Sequence, residues 1–519
     1  MYPDPVPGWT HPNEFSHDTL AHHGIVLAGS DIGYSSPVIA EIDGDTSNGK
    51  EIAVVGADGI VYVHKSSGDL LWSSQLPNYS CNSASSSNKA FSSPAVGALN
   101  GDGIPYVVVG YGGFGSGACG GGVVALNGAS GSQYWHFDLK KFAKGKFYAT
   151  SHSVFSSPAL ADVDGDGKLE VGFGSFDRSI YLLNSDGTLR WYYLAADTVW
   201  SSPSFADVDG DGKPEMIIGT DISMNKKIKP PTPNGGYMYA LKGIQKKTSK
   251  GRVGFRQGGA YKWLTSFDQT LYSSPVVADV LPDNPGSEVI IGSGCYFPQH
   301  TSAKRGAWVK ILSLTTGKVL RTLSTGACSS SQVAVGDLDG DGVLEVVATV
   351  NGSASVGGDG YGRVMAWKAS STTPMWSVTP YLRGRNDSSI GNFKSPIIAD
   401  LDGNGSLEVI VSNGAGVTVL NGIDGRTLTC SDSSCADAQP FLNAFQNLGG
   451  TPAVGDVDGD GDLDLFVAGG SNWNGGHGMI YGWTNFQSAI SSDPGSGTPH
   501  ALPWPMLRGN PQHLGSYGQ

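Results

Sequence analysis

Apolar residues come in short runs along the chain, rarely more than five or six, each closed by glycine, proline, serine or aspartate. Ile52–Val55 and Glu288–Ile291 are near-continuous apolar stretches of strand length. Runs of this length, bounded by turn residues, predict short buried β-strands. The clearest unit is four strands long: Pro158–Val163, Glu170–Gly174, Ser179–Leu183 and Leu189–Tyr193, with the Asp-Gly turn of 184–187 as the hairpin between the third and fourth. The unit recurs, and each copy opens on a Ser/Pro corner. The corners are Tyr34-Ser-Ser-Pro37, Phe91-Ser-Ser-Pro94, Phe155-Ser-Ser-Pro158, Trp200-Ser-Ser-Pro203 and Tyr272-Ser-Ser-Pro275, with variants at Ser329–Gln332, Phe393–Pro396 and Gly450–Pro452. Four short antiparallel strands per repeat, over eight repeats, predict an all-β, eight-bladed β-propeller, with seven blades as the alternative. Residues 1–30 read as an N-terminal arm, 31–500 as the propeller, and 501–519 as a tail contributing to ring closure. Arm or tail is expected to supply the strand missing from the last repeat, which removes a free sheet edge.

Between the first two strands of five repeats lies an acidic loop: Asp162–Glu170, Asp207–Glu215, Asp337–Glu345, Asp400–Glu408 and Asp456–Asp464. Its side-chain oxygens fall on alternate residues of a glycine-bent turn, which suits the flexible oxygen shell of Ca²⁺. The candidate metal set takes positions 1, 3, 5, 7 and 9. These are Asp162, Asp164, Asp166, Lys168 and Glu170; Asp207, Asp209, Asp211, Lys213 and Glu215; Asp337, Asp339, Asp341, Val343 and Glu345; Asp400, Asp402, Asn404, Ser406 and Glu408; and Asp456, Asp458, Asp460, Asp462 and Asp464. Five copies at one spacing argue against a solvated acidic turn, since carboxylates this close repel one another. The loop is not an EF-hand, whose last carboxylate stands at position 12 between helices. Around Glu41–Glu51 the loop is stretched. Around Asn100 it carries Tyr106 at the ninth position, and over Asp279–Glu288 its spacing is wrong.

Composition supports this picture. The 519 residues include 76 glycines and only 15% charged residues, as many short strands and tight turns require. The net charge of −13 is largely a property of the loops, because five divalent ions contribute +10. No basic stripe points to nucleic acid, and no apolar run is long enough to span a membrane. Met1–Gly8 lacks the basic start and apolar core of a secretion signal. The six cysteines contain no Cys-x-x-Cys pair and read as disulfides; the sequence leaves all fifteen pairings open, and pairing of neighbours along the chain, 81–119, 295–328 and 430–435, is the expectation. Disulfides and Ca²⁺ both suggest an extracellular or cell-surface location.

Candidate ligand contacts are fewer. Tyr34, Phe91, Phe155, Trp200, Tyr272 and Phe393 precede the corners and should recur around one face, either as a ligand-stacking ring or as wedges between blades. The strand-four tryptophans Trp72, Trp135 and Trp191 read as packing between blades. The insertion 225–259 gathers Lys226, Lys227, Lys229, Lys246, Lys247, Lys250 and Arg252, a solvated loop or an acidic-polysaccharide contact. His152, with Tyr148, Lys144, Lys146 and Arg178 nearby in sequence, is the centre of a candidate group for lyase chemistry on a uronic acid, with Tyr148 or His152 as the base.

The corners, the Asp-x-Asp-Gly-Asp-Gly-x-x-Glu loops and the strands after them resemble the FG-GAP/VCBS repeat family, which includes the propeller of integrin α chains. The turns into strand four also look like those of quinoprotein propellers. The resemblance covers roughly residues 30–485 and implies Ca²⁺ on the connectors of a propeller. The expected function is an extracellular, calcium-stabilised binding or adhesion module for a carbohydrate or protein ligand. A polysaccharide lyase and a subunit of an extracellular assembly are the alternatives.

Overall fold

The computed structural model describes residues 35–77, 90–112, 120–143, 151–222, 235–244, 260–296, 306–352, 362–380, 394–413, 416–429, 448–470, 477–486 and 501–517, together with 4–5, 24–30, 32, 252–253 and 442. Eight antiparallel sheets stand in a ring, so the chain is an eight-bladed propeller and not a seven-bladed one. The innermost strands are only three residues long: Val38–Ala40, Ala95–Gly97, Ala159–Ala161, Ser204–Ala206, Val276–Ala278, Ala334–Gly336, Ile397–Ala399 and Ala453–Gly455. Each is held short between its corner and the loop that follows, and all are buried. Outer strands are less buried; Leu70–Gln75, for example, buries only Trp72. Among the described residues blade 7 has three strands, with a single bridge from Leu420 to Thr427 beside the third. Blade 8 draws its outer strand from the other end of the chain. Gly24–Ser30 and Asp4–Pro5 both pair with His477–Thr484.

The Ser-Ser-Pro corners explain how the blades are joined. The second serine donates its backbone N–H to the Oγ of the second serine in the next blade. Ser36 bonds Ser93, Ser93 bonds Ser157, Ser157 bonds Ser202 and Ser202 bonds Ser274, at 2.9–3.0 Å. Gln332 N–H reaches Ser395 Oγ, and Thr451 N–H closes the circle on Ser36 Oγ at 2.9 Å. The two junctions without this bond use Ser273 Oγ to the Ser331 carbonyl and Ser412 Oγ to the Gly450 carbonyl. The first serine ties the corner to strand two of its own blade, as Ser35 Oγ does for Val55 N–H and Ser201 Oγ for Gly219 N–H. Buried backbone donors need partners, and a hydroxyl at each corner supplies them between sheets.

The strand-four tryptophans pack between blades as expected. Each indole lies on the turn of the next blade and donates Nε1–H to a carbonyl there. Trp72 bonds Gly128, Trp135 bonds Ser185, Trp191 bonds Gly243, Trp263 bonds Leu314 and Trp376 bonds Gly422, at 2.5–2.8 Å. The turn glycine under the ring is forced twice. At Gly187 the φ is +78°, and an added Cβ would stand 2.5 Å from the Trp135 ring.

The tail does not add a strand to a blade. Residues 501–517 enter the central channel and bond the innermost strands around the ring. Trp504 exchanges bonds with Ile398, and Pro505 accepts from Val454. Pro511 accepts from Val96, Gln512 from Leu160, Leu514 from Phe205 and Gly515 from Val277. Trp504, Met506, Arg508 and His513 are buried. The Arg508 guanidinium donates to the Pro203 and Pro275 carbonyls and to Ser204 Oγ, and the residue's backbone N–H donates to Gln332 Oε1. Burial pulls its pKa down to about 9, which leaves it charged at neutral pH. Arg508 and His513 both hold left-handed backbone, at φ +67° and +60°. For residues other than glycine this costs roughly 1–2 kcal/mol each and persists only where the surroundings enforce it. Among the described residues, Cys295 and Cys328 form the expected disulfide, with Cα atoms 5.5 Å apart. The other four cysteines lie outside the described residues.

Two outcomes follow for stability. Gly187→Ala meets both the positive φ and the Trp135 ring, whereas Gly165→Ala, at φ +79° in the same blade, meets nothing within 4 Å. Urea unfolding is expected to show Gly165→Ala costing about 1 kcal/mol and Gly187→Ala about 3 kcal/mol; equal losses would remove the docking argument. His513, buried against the Pro158 carbonyl, has its pKa pushed down to about 3, first by burial and then by Arg508. The unfolded chain therefore takes up a proton below about pH 6.5 that the fold refuses, and this histidine's stability contribution drains away as pH falls toward 3, by up to about 1.4 kcal/mol per pH unit. His513→Gln should remove that part of the acid limb in a melting-temperature profile.

Candidate functional site

The five acidic loops share one geometry, and blades 1 and 5 keep part of it. The ninth-position carboxylate folds back on the loop's start. One oxygen accepts the backbone N–H of position two at 2.8–3.0 Å in the pairs Val163–Glu170, Val208–Glu215, Leu338–Glu345, Leu401–Glu408 and Val457–Asp464. Ile42–Glu51 in blade 1 and Val280–Glu288 in blade 5 repeat the bond. The first aspartate gathers the loop's own amides: Asp162 accepts from Gly165 and Gly167, and Asp207 from Gly210 and Gly212. These glycines sit at φ +74° to +81°, which lets successive amides turn inward. The result is a cluster of oxygens. In each of the sets Glu41, Asp43 and Glu51; Asp162, Asp164 and Asp166; Asp207, Asp209 and Glu215; Asp337, Asp339 and Glu345; and Asp400, Asp402 and Glu408, ligand atoms lie within 4.8 Å of one another. Any of these could hold a metal ion.

Burial makes these clusters costly without a counter-charge. Glu51, Glu345 and Asp464 are fully buried, and each has one carboxylate oxygen without a hydrogen-bond partner. Desolvation drives Glu51, Glu170, Glu215, Glu345 and Asp464 up to about 7. It drives Glu408 well above the usual carboxylate range, with Asp402 adding to the rise.

Three loops carry a cation of their own. In blade 3, Arg190 spans Asp164 and Glu170. In blade 4, Lys262 contacts Asp209 and Glu215. In blade 6, Lys368 lies 2.6 Å from Asp339 and also binds Asp341. None of the three had been picked out from the sequence. The available signal was the basic residue immediately before a docking tryptophan, Arg190-Trp191 and Lys262-Trp263. The seventh-position residues Lys168, Lys213 and Val343 give the loop their backbone N–H, donated to Asp166, Asp211 and Asp341. Ser406 and Asp462 do the same for Asn404 and Asp460. In blade 2 the loop closes on itself, with Asn100 between the hydroxyls of Tyr106 and Tyr134. In blade 5, Asp283 pairs with Arg321 and Asn284 with Glu288.

The opposite ends of the blades carry the corner aromatics. Phe91, Phe155, Trp200 and Tyr272 touch in sequence, with ring centroids 4.4, 5.3 and 5.2 Å apart. They form an arc over blades 2 to 5. Phe155 is buried and the other three are half-buried, so the arc is partly wedge and partly surface. Tyr34 and Phe393 lie outside the described residues. Where the arc ends, a cavity of about 190 Å³ opens, lined by Asp197, Thr198, Trp200, Asp221, Thr270, Tyr272 and Tyr296.

Of the group weighed for elimination chemistry, Tyr148, Lys144 and Lys146 lie outside the described residues. Arg178 faces Asp197 at 3.6 Å. His152 is partly buried, with Nδ1 unpartnered and its pKa lowered by burial. The lysines of the basic insertion also lie outside the described residues; Arg252–Val253 pairs in parallel with strand four of blade 3.

Comparison with known proteins agrees with the fold. Residues 162–218 match the FG-GAP-like repeat family model. No curated protein sequence matches the chain. Among solved structures, the chain is similar to the quinohemoprotein alcohol dehydrogenase from Comamonas testosteroni, at 13% identity over 92% of this chain and 77% of that one, TM-score 0.55. It is also similar to Sqt1 from Saccharomyces cerevisiae, at 10% identity over 93% and 100%, TM-score 0.55. The rhamnogalacturonan lyase YesW aligns at 15% identity over 84% and 80%, TM-score 0.46. At such identities the likeness is one of fold alone. The chain is an eight-bladed β-propeller that carries an FG-GAP-like repeat over residues 162–218.

Proposed function

We propose that the chain is an extracellular, calcium-stabilised propeller that acts as a binding module for a carbohydrate or protein ligand. The observation that carries the metal reading is the buried carboxylate oxygen left unpartnered in the loops of Glu51, Glu345 and Asp464. A buried anionic oxygen beside other carboxylates calls for a cation, and an all-oxygen, flexible cradle suits Ca²⁺. The candidate sites are the five loops, with that of Glu41, Asp43 and Glu51 beside them. Arg190, Lys262 and Lys368 compete with the ion for the oxygens in blades 3, 4 and 6. The ion's role is structural: it pins the connector between the first two strands. Export is supported by the disulfide, and among the described residues no helix is long and apolar enough to cross a membrane.

Binding is favoured over turnover by the filled axis. The tail occupies the channel in which the innermost strands could have presented catalytic groups, leaving the loop faces as working surfaces. The second reading, a polysaccharide lyase, draws on one observation. His152 is held neutral with a free ring nitrogen, as a general base requires.

Metal analysis of purified protein should find bound calcium, and chelation should lower the melting temperature by about 5–10 °C. Arg190→Gln should raise the calcium content by about one ion per chain, because it frees Asp164 and Glu170. No calcium in either protein, with melting unmoved by chelator, removes the metal reading. A glycan array and an ultraviolet assay for unsaturated products on uronate polymers separate the two functions. Retention without product formation is the expected result, and product formation abolished by His152→Ala would establish the lyase.

A further inference from the structure

The cavity at the end of the aromatic arc has a composition that neither the repeat nor the metal loops explain. Its walls come from blades 4 and 5 and the connections into them. Asp197, Thr198 and Trp200 lie on the connection into blade 4, Asp221 on that blade's second strand, Tyr272 on the next corner, and Tyr296 beyond the second strand of blade 5. Asp221 is 8% exposed. Its Oδ2 accepts the Thr198 hydroxyl at 2.9 Å, and its Oδ1 has no partner. The other carboxylate, Asp197, faces Arg178 at 3.6 Å. That guanidinium is thus engaged at the rim, and Asp221 has no basic neighbour among the described residues that line the cavity. Trp200 and Tyr272 stand at 48° to each other with centroids 5.2 Å apart, so they form two walls and not a flat platform. Tyr296 is 61% exposed and supplies a third ring at the mouth. It follows Cys295, which the disulfide to Cys328 anchors.

We propose that this cavity binds an organic ammonium group, the head of a quaternary or fully methylated amine. Ring faces carry negative quadrupole potential and attract a cation that sheds its water easily. A methylated ammonium does so, because it has no N–H to satisfy, and its methyl groups fill the angle between the rings. Burial drives the Asp221 carboxyl well above the usual carboxylate range, and a cation set against its unpartnered Oδ1 draws it into the charged form that pairs with it. The cavity of about 190 Å³ holds a head of that size. A neutral sugar fits the site less well. It stacks best on a flat ring, whereas these walls are angled.

The inference rests on the chain's being a binding module and is independent of its calcium. The test is a titration of the intact protein, read by broadening of the ligand methyl resonance and by calorimetry. The probes are choline, 3,3-dimethylbutan-1-ol as its neutral isostere, Nε-trimethyl-lysine and a methyl pyranoside. Choline is expected to bind about tenfold or more tightly than the isostere. Asp221→Asn should lower choline affinity about tenfold, and Tyr296→Ala, at an exposed position, several-fold. Circular dichroism and the melting temperature confirm folding of each variant. Trimethyl-lysine matching choline identifies the methylated head as the recognised group, whether it comes from a small molecule or a modified side chain. Equal binding of choline and the isostere overturns the proposal. So does binding of the pyranoside alone, or no binding of choline at tens of millimolar. If choline fails while chelation still lowers the melting temperature, the pocket falls and the calcium-stabilised propeller stands.

Discussion

A ring of sheets exists only if its last member meets its first, and the hydrogen bonds between neighbouring corners are where this chain meets that condition. Thr451 donates to Ser36 as Ser36 donates to Ser93, across 415 residues in one case and 57 in the other. The bond is the same at both, so closure requires no special junction at the axis. The rim does need one, and the arm provides it by adding Gly24–Ser30 to the outer edge of blade 8. Joining the two ends of the chain in one sheet makes the ring's opening a cooperative event, since no blade can leave without exposing two edges.

The corner hydroxyls act at the axis, the tryptophans at the outer strands and the acidic loops at the connectors. Each attaches a different radius of one blade to its surroundings. The tail then fills what eight blades leave open, for an eight-membered ring has a wider bore than its three-residue inner strands can close. Arg508 is the extreme case, a buried guanidinium whose two terminal nitrogens donate to carbonyls and a hydroxyl from blades 4 and 5. Its cost is borne because the same group staples two neighbouring corners from inside.

What was legible in the sequence follows from what repeats. Strand number, corner, loop and docking tryptophan all recur, so each copy supports the others, and eight corners correctly outweighed the alternative of seven blades. The tail occurs once and carries no period. The sequence marks 501–519 as a tail contributing to ring closure, but the places that Trp504, Arg508 and His513 take in the bore have no local signal. The loops show the same division. Positions within one loop were readable because their spacing is local. Arg190, Lys262 and Lys368 were not, because each reaches its loop from a different strand of the sheet. The cavity around Asp221 was out of reach for the same reason: its walls are drawn from positions 197 to 296, and no local pattern joins them.

The claim most exposed to test is that the ring stands or falls as one body, through bonds between corners. Native-state hydrogen exchange on the chain with and without residues 1–31 addresses it directly. In the intact protein, the amides of Ser36, Ser93, Ser157 and Ser202 should exchange at one common slow rate, set by global opening. Removing the arm should raise all four together, including those of the distant blades 3 and 4. If the truncated chain loses protection only in blades 1 and 8 while Ser157 and Ser202 keep theirs, the blades are independently stable and the circular account is wrong.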